Sequence, residues 1–170
     1  RRALVSVSDK SGLIPYVQGL AEHGFQVLSP CGTCRQLREE GLEVIEVSEQ
    51  TGFPDIIDGR VKRLHPDING GLLGRRGTDE AVMEEHGIEP IDLLVVNLSP
   101  FEQTIARDDA TIDVAIENID IGGPAMIRAA SKNPDGVAVC VSPDDYDLVL
   151  EKLKGDGLAR EDRRRLAAKA

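Results

Sequence analysis

Apolar, β-branched runs alternate along this chain with stretches whose apolar positions recur every three or four residues. Ala3-Leu4-Val5-Ser6-Val7 reads as a buried strand. Ser8 to Gly12 then leads into a helix with Ser8 or Asp9 as its N-cap. Leu13, Ile14, Val17, Leu20 and Ala21 form that helix's apolar face, and Gly24 ends it. The same alternation predicts strands at Phe25 to Leu28, Glu43 to Val47, Leu93 to Leu98 and Val137 to Val141. It predicts helices from about Thr33 to Glu40, Asp79 to His86 and Ile112 to Asn118, and another opening at Gly122-Gly123-Pro124. One more helix follows Ser142-Pro143, and residues 160 to 170 read as a polar helical tail. Residues 51 to 77 break the pattern: Gly, Pro and Asn punctuate a long segment of weak periodicity, which reads as a long loop, functional or disordered.

Strands alternating with helices, the strands apolar throughout, imply a three-layer α/β/α fold with a mostly parallel central sheet. In such folds ligands bind outside the carboxyl ends of the strands. Composition narrows the function. Thirty acidic residues against twenty basic ones give a net charge of −10, which disfavours nucleic acid as a partner. The basic residues between Arg160 and Arg165 are interrupted by Glu161 and Asp162, so they read as a solvated helix face. Aromatic residues are too few for base-stacking platforms. No apolar run approaches the ~20 residues that span a bilayer, and no signal-peptide pattern opens the sequence, so the expectation is a cytoplasmic protein without a membrane partner.

Four polar segments fall at or near the carboxyl ends of the predicted strands: residues 8–12, 29–33, 97–101 and the long loop around 60–66. Residues 8–12 offer hydroxyls and Lys10 at a helix start, a cradle for a small anion, although a plain cap fits equally. Arg60-Val61-Lys62-Arg63 concentrates three cations in an acidic chain. His65 follows, without a second histidine or cysteine at metal-ligand spacing, so no metal site is expected. Asp120-Ile121-Gly122-Gly123 places a carboxylate before a helix whose two glycines permit close backbone approach. Lys132 lies eight residues past Pro124, roughly 12 Å along an unbroken helix. For Asp120 and Lys132 to share a site, the helix must break or the ligand must span that distance. Cys31-Gly32-Thr33-Cys34 forms a C-x-x-C, which admits a redox reading if the helix start lowers a thiol pKa.

Taken together, Ser6-Val-Ser-Asp-Lys10, Thr51-Gly-Phe-Pro54, Gly59-Arg-Val-Lys62, Leu64-His-Pro66, Asn97-Leu98 with Pro100-Phe101, Asn118-Ile-Asp-Ile-Gly-Gly123 and Lys132-Asn133 resemble a known family. It is the inosine-monophosphate (IMP) cyclohydrolase half of the bifunctional purine-biosynthesis enzyme, which shares its fold with methylglyoxal synthase. The resemblance covers nearly the whole chain. It implies a cyclohydrolase domain over residues 1–157, and a helical tail over 158–170 similar to the family's link to a transformylase domain. It further implies a homodimer that needs no cofactor and acts on a purine ribonucleotide: 5-formamidoimidazole-4-carboxamide ribotide loses water and closes to IMP.

By position, the resemblance assigns the nucleotide phosphate to Ser8, Asp9, Lys10 and to Pro30, Cys31, Gly32 and Thr33. Arg60, Val61, Arg63, Asn97, Ser99 and Ile121 would hold ribose and base. Lys132 would carry proton transfer, Lys62 would stabilise the oxyanion, and Asp120 would orient the carboxamide. Four positions depart from the family pattern. Pro30-Cys31 stands where a hydroxyl residue and a glycine are usual, Arg63 replaces a threonine, and Ser99 replaces a tyrosine. A left-handed backbone at position 31 would cost a cysteine roughly 1–2 kcal/mol. These departures motivate a rival reading, in which the same fold binds a phosphorylated ligand as a regulatory module without turnover.

Overall fold

A computed structural model describes residues 1–170. Five strands form one sheet: β1 (Arg2–Ser6), β2 (Gln26–Ser29), β3 (Val44–Glu46), β4 (Leu93–Val96) and β5 (Ala138–Cys140). All neighbouring strands run parallel, in the order β3-β2-β1-β4-β5. The sheet is therefore wholly parallel, as buried apolar strands joined by helical crossovers require.

The alternation of side chains along each strand splits the core in two. Ala3, Val5, Leu93, Val95, Ala138 and Cys140 face one layer of helices. That layer contains α1 (Leu13–Glu22), α2 (Cys31–Glu39) and α9 (Tyr146–Leu153), which contribute Leu13, Tyr16, Val17, Leu20, Leu37 and Val149. Leu4, Leu28, Leu94, Val96 and Val139 face the other way. There they meet α3 (Val47–Thr51), α4 (Pro66–Leu73) and α8 (Gly122–Lys132) through Val47, Ile68, Leu72, Met126 and Ala130. Three shorter helices, α5 (Glu80–Glu85), α6 (Phe101–Ile105) and α7 (Ile112–Glu117), lie in the crossovers. No helix is long and apolar enough to cross a membrane.

Three local expectations are corrected. The segment 51–77 is not one loop, because it contains α4 and two 3-10 turns, at Ile57–Gly59 and Lys62–Leu64. Helix α4 escapes periodicity analysis because Gly70 and Gly71 serve packing. A Cβ on Gly71 would lie 2.7 Å from the Glu89 carbonyl oxygen, and the Gly71 carbonyl accepts from Ile91 N–H at 3.0 Å. Helix α1 starts at Leu13 with Gly12 as N-cap (φ 65°), not Ser8 or Asp9. The Asp9 carboxylate instead accepts from Ser11 N–H and Oγ in a local turn, at 2.9 and 2.6 Å.

The polar tail forms α10 (Arg160–Lys169), which is more than a solvated surface helix. Leu166 is buried in the first core, while Ala167 packs against the second, so α10 straddles the sheet alongside β5. Leu166→Ala should cost about 2–4 kcal/mol in urea unfolding, the usual range for emptying a leucine site. Arg164→Ala, on the exposed face two residues earlier, should change stability by less than about 0.5 kcal/mol.

Candidate functional site

The strand order reverses direction at β1 and β4, since β1 connects onward to β2 while β4 connects to β5 on the other side. The loops leaving these two strands therefore diverge and open a crevice, the expected ligand position in such sheets. Asn97, just past β4, reaches across it. Its Oδ1 accepts from the N–H groups of Ser8 and Asp9 at 2.6 and 2.8 Å, and its Nδ2 donates to the Asp9 carbonyl at 3.0 Å. Those contacts occupy the backbone N–H groups of Ser8 and Asp9, so of the cradle expected at residues 8–12 the Ser8 hydroxyl and Lys10 remain.

A cavity of about 430 Å³ opens at this crevice. Of the expected phosphate residues, Ser8, Lys10, Pro30, Cys31, Gly32 and Thr33 line it, joined by Lys62, Arg63, Asn97, Ser99 and Asp120. Helix α2 begins here without a side-chain cap. The N–H groups of Cys31, Gly32 and Thr33 lack intrahelical acceptors, and the first bond of the helix runs from Cys34 N–H to the Pro30 carbonyl. Nine residues of aligned peptide dipoles end at this cavity with their positive pole. Pro30 suits the N-cap, where a missing N–H costs nothing, and its φ is −73°. Cys31 lies within the right-handed helix, so the strain anticipated for a non-glycine residue there is absent. Thr33 is buried, with its hydroxyl donating to the Val7 carbonyl at 3.3 Å, so only its backbone is available to a ligand.

An adjoining cavity of about 490 Å³ is lined by Arg60, Ile121, residues 116–119 and again Lys62, Arg63, Ser99 and Asp120. Its wall includes a left-handed turn: Ile57, Asp58 and Gly59 have φ of 54°, 51° and 76°. For Ile57 and Asp58 this conformation costs roughly 1–2 kcal/mol each. Such strain persists where surrounding structure enforces it, commonly beside a site. Gly59 also lets the Lys62 side chain pass, because a Cβ there would lie 2.8 Å from Lys62 Cε.

Lys62 donates to Asp55 Oδ2 at 2.7 Å and to Cys31 Sγ at 3.3 Å. Burial works against its charge, but these two hydrogen bonds outweigh it and raise the amine above the ordinary lysine pKa. Lys62 is thus a fixed cation, and its hydrogen bond holds the Asp55 carboxyl below the usual range. Asp120 accepts from Gly123 N–H at 2.9 Å and from Arg63 Nη2 at 3.4 Å, acting as a helix cap and a wall of both cavities. The two glycines behind it serve close approach: Cβ atoms on Gly122 and Gly123 would collide with Arg63 and Leu98. Arg60 pairs with Glu117 across the second cavity.

Three expected residues are not among those lining the cavities. Asp9 is turned onto Ser11, and Val61 borders neither cavity. Lys132 ends α8, which is unbroken, so it lies roughly 15 Å along the helix axis from Gly122, itself two residues past Asp120. Its neighbour Asn133 is structural, donating to the carbonyls of Leu72 and Gly74 at 2.9 Å each. His65 caps α4 by accepting from Asp67 N–H. Sequence reasoning missed Asp55 and Glu46, which hold Lys62 and Cys31. Neither stands at a periodic position that would have marked it.

The redox reading of the C-x-x-C does not hold. A hydrogen bond to Glu46 at 2.6 Å, followed by burial, pushes the Cys31 thiol up. Burial does the same to Cys34 and takes Cys140 to about 12. These shifts run opposite to those of a reactive dithiol. Alkylation of Cys31 by iodoacetamide should reach half its maximal rate at a pH above that of an ordinary thiol. Glu46→Gln should lower that pH, since it removes the negative charge that disfavours the thiolate. Asn97→Ala strips acceptors from two backbone donors, and should speed amide exchange at Ser8 and Asp9 at least tenfold at a stability cost of about 1–2 kcal/mol.

Comparison with known proteins bears on the same residues. The MGS-like domain model matches residues 12–125. The chain is 60% identical over 156 residues to the bifunctional purine biosynthesis protein PurH of Magnetococcus marinus, covering 91% of this chain and 29% of that protein. Against PurH of Bacillus cereus the identity is 59% over 172 residues, with 99% and 34% covered. The chain thus spans about a third of the length of these curated relatives. The crystal structure of ForH superimposes with a TM-score of 0.86 at 39% identity, covering 99% of this chain and 90% of that one. The parallel sheet, the crevice where its strand order reverses, and the matched residues agree: the chain belongs to the MGS-like domain family.

Proposed function

We propose that this chain is an IMP cyclohydrolase, closing the six-membered ring of a purine ribonucleotide by loss of water. The observation that carries the reading is the meeting of a cavity at the start of α2, lined by Lys10, with a second cavity that shares Lys62, Arg63, Ser99 and Asp120. A ribotide has the matching layout, with a phosphate at one end and a reacting heterocycle at the other. The identity of about 60% to PurH proteins, whose name places them in purine biosynthesis, supports the same conclusion.

In this reading, the N-terminus of α2 and Lys10 hold the phosphate of 5-formamidoimidazole-4-carboxamide ribotide. Asp120 accepts a hydrogen bond from the carboxamide N–H and orients its nitrogen toward the formyl carbon. Attack forms a C–N bond and places negative charge on the former formyl oxygen. Lys62, held cationic by its partners, stabilises that charge. Two protons, one from the attacking carboxamide nitrogen and one from the formamide nitrogen, pass to that oxygen, and the C–O bond breaks to release water as the ring C=N bond forms. Lys132 does not reach this point within one protomer, so we assign its proton-transfer role to a second copy of the chain. A homodimer is supported by the exposed apolar side chains of Ile112, Ile116, Ile119 and Ile121 beside the second cavity.

A spectrophotometric ring-closure assay tests the proposal. Wild-type chain should turn over, and Lys62→Ala, Asp120→Asn and Lys132→Ala should each lose at least about a hundredfold. Mixing the Lys62→Ala and Lys132→Ala proteins should restore part of the activity if each site draws on two chains. A folded wild-type chain that binds IMP and never turns over would favour the binding-module reading, which Ser99, with its short side chain lining both cavities, specifically motivates.

A further inference from the structure

Arg63 stands where the two cavities meet. Its side chain crosses the face of α8 in a groove that exists only because residue 122 is glycine, a Cβ there lying 2.7 Å from Arg63 Nε. Its backbone carbonyl is fixed by Asn69 Nδ2 at 3.0 Å. The guanidinium makes two contacts, from Nη1 to Ser6 Oγ and from Nη2 to Asp120 Oδ1, both 3.4 Å long. Of the guanidinium's five N–H donors, only these two are engaged, and both loosely. The Arg63 and Asp120 side chains are 27% and 11% exposed, so their attraction is only partly screened. A ligand reaching from one cavity into the other passes this pair.

We propose that Arg63 is a specificity-determining residue that makes the site selective for phosphorylated ligands by keeping Asp120 engaged until a phosphate takes its guanidinium. The inference rests on the reading of the two cavities as one ribonucleotide site. The chemistry is a competition. A phosphate carries more charge than a carboxylate and presents two oxygens to the planar fork, so it outcompetes a single long contact to Asp120. The phosphate lies in the cavity that Arg63 already lines, beside the start of α2. Asp120, whose Oδ1 takes both the Gly123 N–H and the Arg63 contact, keeps the former and loses the cation that offsets its charge. Its carboxylate thereby becomes a stronger acceptor for a donor on the ligand's other end. A nucleoside without phosphate meets a carboxylate whose charge Arg63 still offsets, and so gains a weaker hydrogen bond from it. The phosphate and the base therefore assist each other's binding through the Arg63–Asp120 contact, a coupling that Arg63 alone supplies.

Titration calorimetry with IMP and inosine on the wild-type, Arg63→Thr and Arg63→Lys chains tests this. Wild type should bind IMP at least a hundredfold tighter than inosine. Arg63→Thr should weaken IMP at least tenfold and strengthen inosine threefold or more, because Asp120 is then free from the outset. Arg63→Lys should fall between. The gain for inosine is the readout that a purely structural residue would not produce. Equal losses for both ligands, or no change in either, would overturn the proposal while leaving the ribonucleotide site intact. Failure of the wild-type chain to bind IMP would overturn the site reading itself, and with it this inference. Should Arg63→Thr not fold, Arg63→Lys carries the test with the same signs and smaller factors.

Discussion

One asparagine side chain holds the functional end of this molecule together. In a parallel sheet whose strand order reverses, the loops after β1 and β4 leave in opposite directions, and nothing in the backbone ladder joins them. Asn97 makes that join with three hydrogen bonds to Ser8 and Asp9. Its amide is the right group for the task, since it accepts two N–H donors at one end and donates to a carbonyl from the other. The consequence for ligand chemistry is a division of labour. The turn after β1 is committed to the fold, and the positive potential of the crevice comes from α2, Lys10, Lys62 and Arg63.

Much of this architecture was legible in the residues. Strands such as Leu93–Val96, apolar on both faces, could only be central in a covered parallel sheet, and the helical stripe from Leu13 to Leu20 could only face it. What escaped was structure whose cause lies far along the chain. Gly70 and Gly71 look like loop punctuation until the backbone near Glu89 is packed against them. Asp9 looks like a cap until Gly12 supplies the left-handed turn that starts α1 later. The cations at 60–63 were visible as a cluster, and so was Asp120, which pairs with Arg63, but the carboxylates that fix the other two came from unpatterned positions: Asp55 for Lys62 and Glu117 for Arg60. The distance between Asp120 and Lys132 was correctly posed as a question by helix geometry, and an unbroken α8 answers it.

Pro30 and Cys31, which the sequence resemblance marks as unusual, fit the backbone they occupy. Pro30 fills a helix position that needs no N–H, and Cys31 sits in ordinary helical geometry with its thiol turned onto Glu46. Gly32, between them and Thr33, keeps open space where a Cβ would point. The cavity therefore retains its backbone donors while its wall chemistry changes. Arg63 places a charge at the junction of the two cavities rather than at the rim of one.

The placement of α10 along β5 has a consequence for how copies of this protein can meet. A parallel sheet ends in strands whose outer N–H and C=O groups invite another strand to pair, and such borders are a route to aggregation. Here β5 forms one border, and α10 lies over it with Leu166 and Ala167 gripping opposite faces. The other border, β3, is only three residues long and passes straight into α3. Neither margin offers a long template, so self-association must proceed through side chains on the helices. Loss of α10 would uncover β5, and the molecule would then gain a tendency to polymerise that is unrelated to its chemistry.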